Sequence, residues 1–377
     1  MKIAITTHVF ATGPGQDLRD YLINKKVEEL FFIGHPLFYS KSIPGSSYYH
    51  YKNGNLVESK VTKNLNINIL IKYFRCFIRT LIWGKKYIFD YDIYVGCNNL
   101  NALAGLFLKK MGRVKKCVYY VIDYNPKRFP NKLLNSLYHY IDHVCVKYCD
   151  EVWNLSPRMI EGRKDYFGVV GGNQKVVPIG IWFDRIPKND KELIEKHTVV
   201  FEGHLLKKQG VQHLIKAIPM VKAKIPDFKL VIIGEGLYKG DLEAESQQLN
   251  ISSNVEFVGY IDDHVDLENM LCNCALAVAL YNKYEDNGDL TFTYFADPAK
   301  LKLYLACGLP ILLTDVSYNA KDIKNNGCGI IISTDPAIIA RTIIDLLSDS
   351  NKLYQMRENA IKYASNYNWT KIFESLI

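Results

Sequence analysis

The sequence predicts an α/β protein of two Rossmann-like domains facing a cleft, each a parallel sheet with crossover helices. Three observations carry that expectation. Short apolar runs, of the kind buried on both faces of a parallel sheet, alternate with helical stretches through both halves of the chain. At 377 residues the chain exceeds what one hydrophobic core usually supports. The charge also divides: residues 1–187 hold 27 Lys and Arg against 14 Asp and Glu, and the remainder hold 20 against 25, within a net charge of +8. The domains are placed at 1–185 and 196–365, joined by a linker at roughly Phe183 to Lys196, with a final helix at about 366–377.

Lys2 to Thr7 reads as the first strand and runs toward Gly13-Pro14-Gly15, where glycines between strand and helix let a backbone approach a ligand. The spacing lacks the third glycine of the dinucleotide fingerprint. Glu29 to Pro36 gives the second strand, and Tyr39 to Asn66 has hairpin or loop character. From Ile67 to Lys86 a helix carries Lys72, Arg75 and Arg79 at i, i+3 and i+7, one basic stripe amid apolar residues. Two readings of it stay open. It is a core helix with a solvated stripe, or it lies on an anionic membrane through Lys72, Arg75, Arg79, Lys85 and Lys86, with Trp83 at the interface. Strands at Tyr91 to Gly96 and Lys116 to Asp123 bracket a helix at Asn99 to Met111. Asp123 thus sits at a strand's carboxyl end, where open parallel sheets bind ligands. Asp90-Tyr91-Asp92 spells D-x-D but precedes its strand, at the wrong end of the sheet. A helix at Leu133 to Tyr148 and a strand at Glu151 to Ser156 complete the domain.

The second domain opens with a strand at His197 to Glu202, then Gly203, a basic loop from His204 to Gln209, and an amphipathic helix after Gly210. This again places N–H groups and cations where phosphates bind. Lys229 to Ile233 is the next strand, turning at Gly234-Glu235-Gly236, and Val255 to Gly259 with Tyr260 another. Cys274 to Leu280 is a buried strand leading to a long loop, Tyr281 to Tyr294, that carries Glu285, Asp286 and Asp289. Asp297 and Pro298 read as a helix opening, with Asp297 as its cap and Lys300 and Leu301 in the first turn. Gly308 ends that helix, Pro310 forbids its continuation, and Ile311 to Leu313 forms a buried strand.

Nine Cys without a C-x-x-C pair suit reduced thiols rather than a disulfide framework or zinc site. No uncharged apolar run reaches the roughly 18 residues that span a bilayer, and Met1 leads straight into a strand. A cytoplasmic protein is expected, either free or peripheral to the inner membrane face. Lacking zinc-finger spacing or an RNA-binding signature, the basic half is not expected to bind nucleic acid.

The stretch Tyr294 to Asp315, with its Ala306-Cys307-Gly308-Leu309-Pro310 turn, resembles the donor-site helix of GT-B glycosyltransferases. The resemblance is to the retaining, nucleotide-sugar-dependent group 1, or family four, and is strongest over residues 197–335. It implies donor contacts from Gly13, Gly15, Gly203, His204, Lys208, Gln209, Gly234, Gly236, Gly259, Tyr260, Pro298, Lys300 and Leu301, and a last helix crossing back to the first domain. It further implies transfer of a sugar from a nucleotide-diphosphate sugar to a glycan or lipid-linked acceptor, without a cofactor or an obligatory metal. The chain departs from the family twice. His204 and Gln209 stand where an Arg and a Lys usually neutralise the diphosphate, and Phe295 and Leu303 occupy the positions of a Glu pair. Asp297 is the nearest carboxylate to that pair and Asp123 the first-domain candidate, so both are expected to be catalytic. An epimerase of the same fold and a binding subunit without catalysis are the alternatives.

Overall fold

The structure is a computed structural model that describes residues 1–9, 13–36, 45–65, 67–189 and 194–377. Phe10 to Thr12 of the expected glycine loop lie outside the described residues, as do parts of the Tyr39–Asn66 region and of the linker. Two compact units emerge, Met1–Pro178 with Phe373–Ile377, and Ile179–Ile372. The division precedes the expected linker because that segment packs on the second unit. Ile186 is buried there, Arg185 pairs with Glu268, and the Lys188 ammonium donates to Ala306 O at 3.0 Å.

The first unit holds β1 (Lys2–Val9), β2 (Glu29–Pro36), β3 (Ser47–Lys52), β4 (Asn55–Val61), β5 (Tyr91–Cys97), β6 (Val114–Val121), β7 (Glu151–Asn154) and β8 (Gln174–Val176). They form one sheet in the order β4-β3-β2-β1-β5-β6-β7-β8. Six strands run parallel, and β3–β4 is an antiparallel hairpin on its edge. Asn53 and Gly54 turn that hairpin at φ 48° and 81°, the left-handed pair a two-residue loop requires. Phe373 packs on the Tyr21 ring at 5.4 Å, and Glu374 pairs with Lys25, tying the chain's end to this unit.

Beneath β6, β7 and β8 lies a buried polar knot. Arg163 is fully buried, and its Nε and Nη2 donate to the two Asp142 oxygens at 2.7 and 3.1 Å. Its Nη1 reaches Asn154 on β7 and Gln174 on β8, while Tyr119 on β6 donates its hydroxyl to Asp142 at 2.6 Å. One ion pair therefore fixes three strands to two helices.

The second unit holds β9 (Glu195–Glu202), β10 (Lys229–Ile233), β11 (Val255–Gly259), β12 (Cys274–Ala279), β13 (Ile311–Leu313) and β14 (Gly329–Ile331), all parallel, in the order β11-β10-β9-β12-β13-β14. Each face carries an apolar layer: Val199 and Phe201 of β9 enter one, and Val200 enters the other with Tyr304 and Leu305. Every residue of β12 is buried, as a central parallel strand should be.

Replacing Arg163 alone strands the Asp142 carboxylate in the core. Arg163→Met is expected to cost about 3–5 kcal/mol in urea unfolding of the full chain, with part of the loss recovered by adding Asp142→Leu.

Candidate functional site

At the carboxyl ends of β9, β10 and β11 the backbone comes together at glycines. Gly203, Gly234 and Gly259 hold φ 133°, 133° and 84°. A Cβ on Gly234 would stand 2.1 Å from Gly203 O, and one on Gly236 would stand 2.3 Å from Leu205 O. Peptide groups therefore bond directly, Gly203 N–H to Ile233 O at 2.9 Å and Gly234 N–H to Gly259 O at 2.7 Å. His204, Glu235 and Tyr260 are left exposed along this rim.

Onto the rim comes helix Ala299–Ala306. The half-buried Lys300 donates from Nζ to Glu202 O at 3.0 Å and to Gln209 Oε1 at 2.8 Å, with the Phe201 and Tyr281 ring centroids at 4.2 and 5.0 Å. One turn on, the Tyr304 hydroxyl accepts from Glu202 N–H at 2.6 Å. Burial lowers the Lys300 ammonium to about 8, against the pull of the nearby Glu202 carboxylate. Burial likewise pushes the Glu202 carboxyl up, and Lys300 opposes it. Glu202 and Tyr304 escaped the sequence reading. The legible signal for Glu202 was an acid ending a buried strand just before Gly203.

Gln209 is buried, in the short 3-10 turn Lys207–Gln209. Gly210 follows at φ 79° and caps helix Val211–Lys222, and a Cβ there would lie 1.8 Å from Leu280 O, so only glycine fits. Lys208 and Lys207, the expected phosphate cations, pair instead with Glu285 at 2.9 Å and Asp286 at 3.3 Å. Those acids belong to the long loop, which folds as a tight hairpin with a Tyr284–Leu290 bridge and Gly288 at φ 81°. The Lys207–Asp286 pair is exposed and holds weakly, and Lys208–Glu285 is only partly buried, so a bound anion can compete for the lysines.

Asp297 does not cap the helix, whose N-cap is Pro298 without a side-chain bond. A residue before proline is driven to extended backbone. Its carboxylate instead is buried and accepts from Ile179 N–H at 2.8 Å, Lys302 Nζ at 3.1 Å, Tyr318 OH at 3.3 Å and Asn319 Nδ2 at 3.3 Å. Burial pushes this carboxyl up, while Lys302 and the other donors pull it down. Leu301 is buried in helix Ala299–Ala306.

In the first unit, Asp123 lies just past β6, partly exposed, and pairs with the Arg128 guanidinium. His8, near the end of β1, shares a 3.2 Å hydrogen bond between its Nδ1 and Asn101 Nδ2. Burial, and then Arg128, lower His8 to about 4, so it is neutral. Gly13 precedes helix Pro14–Asn24, and a Cβ on Gly15 would stand 2.8 Å from Cys97 Sγ. The D-x-D acids lie at the amino end of β5, both paired with Lys115. Among the described residues no group of three His, Cys, Asp or Glu is placed to hold a metal.

Helix Ile69–Tyr87 differs from both sequence readings. Trp83, expected at a membrane interface, is 8% exposed and packs edge-on against Tyr48 at 5.1 Å. Arg79 turns inward to Thr62 Oγ1 at 2.8 Å. The outward face is instead apolar, with Ile71, Phe74 and Ile82 54–65% exposed. Lys85 and Lys86 are exposed beside it, and no described helix is long and apolar enough to cross a membrane.

Residues 196–349 match the family model described as Glycosyl transferases group 1. An uncharacterized glycosyltransferase of Haemophilus influenzae is 25% identical over 252 residues, which cover 65% of this chain and 64% of that relative's own length. Among solved structures, Anabaena HepE in complex with UDP aligns at a TM-score of 0.70 and 14% identity, over 100% of this chain and 98% of that one. WaaG, a glycosyltransferase involved in lipopolysaccharide biosynthesis, aligns at 0.67 and 17% identity over 99% and 98% of the two chains.

The Asp297 geometry is that of a positioning group. Asp297→Asn is expected to destabilise the full chain by about 3–5 kcal/mol in urea unfolding, because it leaves Lys302 buried and charged without a counter-ion.

Proposed function

We propose that this protein, whose residues 196–349 match the model of the group 1 glycosyl transferases and whose fold is that of its GT-B neighbours, moves a sugar from a nucleotide-diphosphate sugar to a hydroxyl of a glycan or lipid-linked acceptor. The acceptor is met at the cytoplasmic membrane face, in cell-surface polysaccharide or glycoconjugate synthesis. The observation that carries this reading is Lys300, a cation held at the carboxyl ends of the second sheet beside the Gly203–Gly234–Gly259 rim.

The donor is a substrate and no cofactor takes part. As the bond to the sugar breaks, the negative charge on the departing nucleoside diphosphate is met by Lys300, by Lys208 once it leaves Glu285, and by the starts of helices Ala299–Ala306 and Val211–Lys222, so no metal is needed. Gly203 and His204 lie at the diphosphate, and the turns at Gly234–Gly236 and Gly259–Tyr260 flank the base and ribose. Asp297 positions the helix rather than touching substrate. In the first unit Asp123 contacts the acceptor hydroxyl or the sugar, and Gly13 and Gly15, at the start of helix Pro14–Asn24, are donor contacts. Retention of configuration is carried over from the family. The UDP in the Anabaena neighbour makes uridine nucleotides the first to test. Membrane contact runs through the Ile71, Phe74 and Ile82 stripe of helix Ile69–Tyr87, flanked by Arg75, Lys85 and Lys86.

A calorimetric panel of UDP, GDP and ADP with their sugar conjugates tests the donor reading. One nucleotide is expected to bind, and Lys300→Ala to weaken it about 10- to 100-fold. The anion favours the charged ammonium, so affinity should hold below pH of about 8 and fall as pH rises through it, by up to about tenfold by pH 9. The Lys300→Ala variant should lack that slope, and binding of no nucleotide at millimolar concentration would refute the proposal. For the membrane contact, co-sedimentation with anionic vesicles should fall in Phe74→Ser and weaken with salt; equal binding by Phe74→Ser would exclude the stripe.

A further inference from the structure

The first unit contains a recess of ≈ 280 Å³, counting space that opens to solvent, between helix Ile69–Tyr87 and the segments that flank the β3–β4 hairpin. Lys63, Lys72, Arg75 and Arg79 line it, with Ser46 and Asn64 as neutral polar groups, and no carboxylate is among its described lining residues. On the helix, Lys72, Arg75 and Arg79 fall within ~60° of one another, along one flank of the exposed apolar stripe.

The environment of Arg79 is unusual for a structural arginine. Its guanidinium is half-buried, donates to the neutral Thr62 Oγ1 at 2.8 Å and sits 5.6 Å from the Trp83 ring centroid. Burial, and then the neighbouring Arg75, disfavour its charge. The buried Cys76 thiol lies in the same field: burial raises it, while Ser46, Arg79, Lys72 and Arg75 pull it down. Cations gathered this closely repel one another, and a helix under selection for stability alone would place acids among them. A dianion reverses the sign of that interaction, and the guanidinium fork matches phosphate oxygens.

We propose that this recess binds a phosphate group carried by the acceptor, an inference that rests on the transferase reading. The group is a phosphomonoester or phosphodiester, borne either by a membrane lipid or by a soluble phosphorylated glycan.

Two binding assays on the full chain separate these sources. One titrates glycerol 3-phosphate calorimetrically, and the other measures co-sedimentation with phosphatidylcholine vesicles with and without phosphatidic acid. In at least one assay, Arg75→Gln and Arg79→Gln are expected to weaken phosphate-dependent binding about tenfold, with Arg79→Lys intermediate. A response confined to the first assay assigns a soluble phosphate, and one confined to vesicles assigns a lipid-borne one. Arg75 is exposed, so its variant folds even if Arg79→Gln does not. No dependence on Arg75 in either assay overturns the inference. UDP binding, read in the same variants, should stay at the wild-type level. Its absence from wild-type protein would count against the donor reading, while the recess is judged on its own two assays.

Discussion

The Asp297–Lys302 ion pair is the contact on which the second unit's functional geometry depends. Both side chains are fully buried, and the carboxylate gathers donors from Ile179 at the start of the unit, from helix Ala299–Ala306, and from Tyr318 and Asn319 beyond β13. A helix pinned on one face has its other face fixed as well. Lys300 stands two residues from Lys302, ~200° around the axis, and so projects to the opposite side, where it meets Glu202 and Gln209. Tyr304, one turn beyond Lys300, bonds the N–H of Glu202 and sets the distance to the end of β9. The buried pair adds little net stability by itself. Its value lies in fixing which way the helix faces.

The same division between fixed backbone and placed charge recurs across the rim. Gly234 and Gly236 carry no side chain because neighbouring carbonyls occupy the space one would need, and a Cβ on Gly203, at φ 133°, would meet Lys300 Nζ at 3.2 Å. The loops can then stack peptide on peptide, and Lys300 and Tyr304 reach the rim from a helix anchored elsewhere. Gly210 extends this logic to the next helix, whose start is pressed against Leu280 O. A rim built from backbone is rigid on its own account, and the lysines around it are left to answer to a ligand.

Much of the fold was legible because period and punctuation agree. The buried runs at β9, β10, β12 and β13 and the Gly308–Pro310 stop fix the order of elements, and Asn53-Gly54 turns a hairpin in a region whose sequence suits hairpin or loop. What the sequence hid were orientations. Asp297 beside a proline looks like a cap, yet the carboxylate turns into the core, because the cation that receives it lies five residues on at Lys302. Trp83 amid basic residues looks like an interfacial anchor, but Tyr48 comes from another element and offers its ring as a packing partner. Both errors come from reading a residue against its sequence neighbours when a distant one decides. Glu202 was overlooked for the converse reason: as the end of a strand it reads as structure until Lys300 is brought beside it.

Of the two changed positions, 204 and 209, the second has a physical sense in this structure. With Lys300 already within 2.8 Å of position 209, a lysine there would set two ammonium groups together in a half-buried site, and each would raise the cost of charging the other. Gln209 removes that repulsion and presents an oxygen that accepts from Lys300, holding it against the Phe201 and Tyr281 rings. Gln209 and a charged Lys300 are therefore compatible neighbours, as two lysines would not be. On this argument the cation beside the rim is carried by a helix whose orientation is locked by the Asp297 pair. A loop cation is free to follow its ligand, whereas this one is fixed in place before the ligand arrives, so its ordering cost is met in folding rather than in binding.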